Sequence, residues 1–111
     1  MKVLFVCSRN RLRSLTAETL FDRRNGHSVR SVGTEPGARV RVTAGHLGWA
    51  DVVFVMEKRH LQRLRAKFPD ALDGRPVICL HIPDDYAYMD DALVERLRDG
   101  VAPHVDFGDA A

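Results

Sequence analysis

Two stretches of this chain are apolar without a break: Val3-Leu4-Phe5-Val6 and Val52-Val53-Phe54-Val55-Met56. A strand with one wet face alternates apolar and polar residues. An unbroken run of β-formers instead describes a strand buried on both faces, as in parallel sheets covered by helices. Two weaker runs join them, Val29 to Val32, closed by Gly33, and Val77-Ile78-Cys79-Leu80. Helical spacing fills the intervals. Ala17, Leu20 and Phe21 share a face after Ser14, with Gly26 as the stop. Thr43 caps a short helix carrying Leu47 and Trp49, and Glu57 opens one carrying Leu61, Leu64 and Phe68, ended by Pro69. A last helix from Asp91 carries Leu93, Val94, Leu97 and Val101. Residues 35–42, 70–75 and 81–90 read as loops. Alternating strands and helices predict an α/β fold: three layers, α/β/α, around a central four-stranded parallel sheet. The length of 111 residues fits one domain, residues 1–105, with 106–111 expected as a frayed tail.

Ligands of such sheets bind beyond the carboxyl ends of the strands. The first strand ends at Cys7, and Ser8-Arg9-Asn10-Arg11-Leu12-Arg13 leads into a helix at Ser14. A short loop entering a helix N-terminus is an anion site, because backbone N–H groups and the helix dipole favour negative charge. The same field favours the thiolate of a cysteine at its mouth. Arg13 adds a planar fork of donors for a phosphate. Arg9, Arg11, Arg13, Arg23, Arg24, Arg30, Arg39 and Arg41 load the first half of the chain, whereas Asp84, Asp85, Asp90 and Asp91 come late. That asymmetry favours an anionic ligand at the first loop. The net charge of +2 is too small to argue for nucleic acid as partner. Two cysteines, Cys7 and Cys79, are too few for a disulfide framework, which favours a reducing cytoplasm. Cys79, inside an apolar run, reads as a buried thiol. The five histidines have no ligand-like spacing, so no metal is expected, and no run is long enough to span a membrane.

Cleaving a phosphate ester through a covalent intermediate takes an ionised nucleophile, donors around the phosphoryl oxygens, and an acid for the leaving oxygen. Cys7 suits the first role. The backbone of residues 8–13 with Arg13 suits the second. Ser14 suits a hydrogen bond to the sulfur, and Asp84 or Asp85, beyond the fourth strand, suits the third.

These residues resemble the low-molecular-weight protein tyrosine phosphatase family, whose fold a class of arsenate reductases shares. The likeness rests on Cys7-x5-Arg13-Ser14 with Asn10 inside the loop. It continues through Ser31-Val32-Gly33-Thr34, Ala50-Asp51-Val52-Val53-Phe54-Val55-Met56 and Asp84-Asp85-Tyr86, in the family's order over nearly the whole chain. Short bacterial members are the most similar branch. The resemblance implies the phosphotyrosine phosphatase I-like fold, Cys7 as nucleophile, Arg13 as clamp, and Asn10 and Ser14 as supports of loop and thiolate. It implies Asp84 as general acid, with Asp85 the alternative. It also implies a substrate-binding surface of Ser8, Arg9, Asn10, Arg11, Leu12, Ser14 and Tyr86. The implied substrate is a phosphotyrosine protein or a small aryl phosphate, with no cofactor. Arg9 stands where the family often has glycine, and Leu12 where it often has a second cysteine, so no disulfide can form beside the nucleophile. Asp85 replaces the familiar proline, and residues 35–42 are fewer than in longer members. Two other functions remain open: a phosphate-recognition module without turnover, and thiol-dependent arsenate reduction, which needs resolving cysteines.

Overall fold

Strand β1 (Lys2–Cys7) holds an inner place in the sheet, as its unbroken apolar run requires. The computed structural model describes residues 1–108. In chain order it continues with α1 (Arg13–Phe21), β2 (Ser28–Gly33), α2 (Ala44–Trp49), β3 (Val52–Val55), α3 (Lys58–Lys67), α4 (Pro69–Leu72), β4 (Val77–Cys79) and α5 (Asp91–Val101). The sheet order is β2-β1-β3-β4 and every pairing is parallel. In register, Cys7 lies opposite Gly33, and Val6 opposite Val55.

Successive side chains of a strand point to opposite faces. Val3 and Phe5 therefore join α1 and α5 in one apolar layer, with Phe54, Phe21, Leu93 and Leu97. Leu4 and Val6 join α2 and α3 in the other, with Val53, Val55, Leu47 and Leu64. The expected α/β/α sandwich is the observed one. The first crossover carries the chain from β1 to β2. The second brings it back across β1 to β3. The strand order thus reverses between β1 and β3, and the segments that follow these two strands open a crevice there.

Four expectations change. The helix after Ser14 stops at Phe21, short of Gly26, because Asp22 turns extended (ψ 133°), and left-handed backbone at Arg23 (φ 66°) and Asn25 (φ 51°) leaves only a single 3-10 turn beyond it. The loop expected at 70–75 begins inside α4, with Pro69 at its first turn, where a missing N–H costs nothing. Cys79 is half-buried, since β4 is an edge strand, and its Sγ lies 3.6 Å from His81 Nδ1. The expected tail is docked as far as it is described. Phe107 is buried and stacks on Phe21 with ring centroids 4.4 Å apart, while the Asp106 carbonyl accepts from Asn25 Nδ2 at 2.9 Å. Residues 109–111 lie outside the described residues. No helix among the described residues is long and apolar enough to cross a membrane.

Candidate active site

Cys7 ends β1 with its thiol buried, and the chain then folds around the sulfur. Asn10 adopts left-handed backbone (φ 57°), which asparagine tolerates better than most residues. This turn aims the Asn10 amide at Cys7 Sγ, 3.3 Å away. Ser14 Oγ, on the first turn of α1, lies 3.0 Å from the same sulfur and accepts from Asn10 Nδ2 at 2.8 Å. The Ser14 proton has one other acceptor in reach, the Val32 carbonyl at 3.4 Å, so a sulfur anion takes it with better geometry.

The carbonyls of the loop are turned away from the sulfur by the segment after β2. Thr34 N, Glu35 N and Arg39 N donate to the carbonyls of Cys7, Ser8 and Arg9, each at 3.0 Å, and Arg39 Nε donates to the Asn10 carbonyl at 3.2 Å. The amides of Ser8, Arg9, Arg11 and Leu12 have no partner among the described residues. Gly33 allows this close approach. A Cβ there would stand 2.5 Å from the Ser8 carbonyl oxygen and 2.6 Å from Ala38 Cβ. The outcome is a loop whose carbonyls from Cys7 to Asn10 are occupied while four of its amides are free, the polarity an oxyanion requires.

Arg13 is buried at 1% exposure, and its charge is met on arrival. Nη1 donates to Glu57 Oε2 at 2.7 Å and to the Ile82 carbonyl at 2.9 Å. Glu57 follows β3, the strand beside β1, so the topology itself brings it under Arg13. Arg59 Nη2 shares the same carboxylate oxygen at 2.8 Å. Burial alone would raise the Glu57 carboxyl. Hydrogen bonds from Arg13 and Arg59, and their charges, outweigh it and hold the group at about 2. Two edges of the Arg13 fork remain toward the cavity. Nη2 has no partner among the described residues, and Nε lies 3.7 Å from Asp84 Oδ1.

His60 lies beneath Ser8. Its Nδ1 accepts from the Glu57 amide at 3.0 Å, closing the cap of α3. A neutral ring therefore carries its proton on Nε2 and donates it to Ser8 Oγ at 2.9 Å. Burial, then the charges of Arg13 and Arg59, push the His60 imidazole down to about 4. Ser8 Oγ receives this bond and keeps its own proton to donate.

A cavity of about 860 Å³ opens over the sulfur. Of the expected residues, Cys7, Ser8, Arg9, Arg11, Leu12, Arg13 and Asp84 line it. Asn10 and Ser14 are fully buried behind the loop and support it without facing the cavity. Both aspartates are exposed, and of the two Asp84 lines the cavity with Cys7 while Asp85 lies outside the lining. Tyr86 is a correction. Its ring packs on the α1/α5 layer and its hydroxyl accepts from Arg96 Nη1 at 3.2 Å, which draws it away from the cavity toward α5. Sequence reasoning missed Glu57, Arg59 and His60, all in the segment after β3, and Glu35 at the mouth. The available signal was adjacency: once β3 neighbours β1, its following residues must neighbour the phosphate loop. No group of three potential metal ligands occurs among the described residues.

No model of a known protein family matches the chain, and no curated protein does. Solved structures do match. The tyrosine phosphatase Wzb from Escherichia coli K30, in complex with phosphate, is 22% identical with a TM-score of 0.73, over 89% of this chain and 91% of that one. SP-PTP, a low-molecular-weight protein tyrosine phosphatase from Streptococcus pyogenes, is 15% identical with a TM-score of 0.74, over 95% and 93%. A YwlE arginine phosphatase, a cysteine-to-serine mutant with a phosphorylated active-site serine, is 22% identical with a TM-score of 0.69, over 97% and 100%. The chain shares the fold of these proteins along nearly its whole length.

Proposed function

We propose that this fold carries a phosphomonoesterase working through a cysteinyl-phosphate intermediate. The observation behind the reading is the sulfur of Cys7 at the foot of an open cavity, with Asn10 N–H and Ser14 Oγ both on it. The kinship of fold with phosphatases, one bearing phosphate on a serine in place of cysteine, supports it. In the first step the Cys7 thiolate attacks phosphorus, an S–P bond forms, and the P–O bond to the leaving group breaks. The free loop amides and the open edge of Arg13 receive the equatorial oxygens. The Asp84 carboxyl gives its proton to the departing oxygen. In the second step water attacks phosphorus and passes a proton to the Asp84 carboxylate. The S–P bond breaks, and the hydrogen bonds from Ser14 and Asn10 stabilise the thiolate that leaves.

The test is hydrolysis of a generic aryl phosphate. Cys7→Ser abolishes turnover, and Asp84→Ala lowers kcat by about 10²–10⁴-fold, the usual worth of acid–base catalysis. Tight phosphate binding by a wild type that turns over no ester would make the chain a recognition module. A crippled Asp85→Ala beside a mild Asp84→Ala would overturn the choice of acid.

A further inference from the structure

Four arginines line the cavity over Cys7 (Arg9, Arg11, Arg13 and Arg59) with two carboxylates (Glu35 and Asp84), and no aromatic side chain lines it. The aromatic residues nearest in sequence to a substrate wall are committed elsewhere. Tyr86 is bonded to Arg96, Tyr88 shares a hydrogen bond with Thr19 Oγ1 at 2.9 Å, and Trp49 lies under the Arg30 guanidinium at 4.3 Å.

The arginines of the site divide into two sets. Arg13 and Arg59 are held by Glu57, Arg63 by Glu35 at 3.3 Å, and Arg39 by the Asn10 carbonyl. Arg9 and Arg11 line the cavity and are exposed, and their guanidinium groups make no hydrogen bond or ion pair among the described residues. They stand two apart on the loop, and both line the cavity together with Cys7 and Arg13. The two carboxylates of the lining face other arginines: Arg63 offsets Glu35, and Asp84 lies 3.7 Å from Arg13 Nε.

We infer that the substrate carries a second anionic group close to its phosphoryl group, and that Arg9 and Arg11 receive it. This inference rests on the proposed phosphoryl site and names the kind of molecule the site selects. The shared chemistry is a phosphate ester whose leaving group is itself negatively charged. A phosphopeptide with flanking acidic residues has it, and so does a small bisphosphate. A bare aryl phosphate lacks it and meets neither a ring to stack on nor a use for the two outer guanidinium groups.

The experiment measures binding with the Cys7→Ser protein, so that affinity is read without turnover. One arm compares a phosphotyrosyl peptide flanked by glutamates with its glutamine twin. The other compares fructose 1,6-bisphosphate with fructose 6-phosphate. Two partly exposed charge pairs predict that the more anionic member of at least one pair binds about 5- to 30-fold tighter at low salt. That ratio falls toward one in about 0.5 M NaCl, where screening is nearly complete beyond a few ångströms. It also falls in Arg9→Gln, in Arg11→Gln, and furthest in the double variant. The arm that shows the preference identifies the source. Ratios under about threefold in both arms overturn the inference, as does a preference that survives the double variant. Turnover by the wild type is scored separately. If no ester is hydrolysed, the phosphatase reading fails while the binding ratios still decide this one. If a neutral aryl phosphate is hydrolysed with no anionic preference, the reverse holds.

Discussion

His60 offers a test of the site that reads stability and not catalysis. Its imidazole is almost wholly buried, between the Ser8 hydroxyl on one nitrogen and the Glu57 amide on the other. Arg13, Arg59 and Arg63 oppose a proton there, and Glu57 alone favours one. The folded protein takes up that proton only near pH 4, whereas an exposed histidine does so near 6.5. Between those values the unfolded chain binds the proton and the folded chain does not. Stability from this residue is therefore complete above about pH 6.5 and is lost as pH falls toward 4. With those two values, linkage gives a loss of about 2 kcal/mol between pH 7 and pH 5. Glu57, held at about 2, acts in a different window, since its contribution is lost only as pH drops below its ordinary 4.5. Urea unfolding of the wild type and His60→Asn at pH 7, 6 and 5 isolates the effect. His46, which burial and Arg30 also lower, falls out of the difference between the two proteins. The wild type is expected to lose about 2 kcal/mol more than the variant over this range. Parallel slopes for the two proteins would show that His60 is not held neutral, and the account of Ser8 would fall with it.

Three further outcomes are expected. Glu57→Gln weakens the carboxylate that fixes Arg13, so kcat/KM for an aryl phosphate drops by about 10²-fold, the usual cost of a misplaced catalytic group, and unchanged kinetics would mean the Ile82 carbonyl alone suffices. Gly33→Ala drives a Cβ against the Ser8 carbonyl oxygen, which costs about 1–3 kcal/mol in urea unfolding and displaces the phosphate loop, with a matching fall in turnover. Phe107→Ala removes the ring stacked on Phe21 and costs about 3 kcal/mol; equal stability would show that the chain's end contributes nothing to the core.

What the chain revealed before its structure, and what it withheld, divides along a physical line. A strand buried on both faces writes that fact into consecutive residues, so β1 and β3 were legible at once. The phosphate loop was legible because its residues are contiguous. Its nucleophile, arginine and supporting serine all sit within eight positions of one turn. Phe107 was not legible. An isolated aromatic beyond Pro103 looks like a tail, and only the Phe21 ring waiting 4.4 Å away makes it core. Helix α4 has four residues, too few for any periodicity to register. Tyr86 followed a motif in sequence, yet the motif does not encode where Arg96 on α5 will draw its hydroxyl.

Glu57 and His60 show the division most sharply. Each has a sufficient local explanation: one caps α3, and the other closes the cap from three residues on. That local role hides their reach into the site, because a residue that satisfies a helix end gives no sign of a second partner. The second partner comes from strand order. With β3 beside β1, Glu57 at the N-cap of α3 also receives Arg13 on its carboxylate from a loop 44 residues earlier, and the imidazole that accepts from the Glu57 amide lands on Ser8, 52 residues earlier. The capping geometry also sets the chemistry. Because the Glu57 amide occupies Nδ1, the proton of His60 must sit on Nε2, and Ser8 is left with a proton to give to whatever the cavity binds.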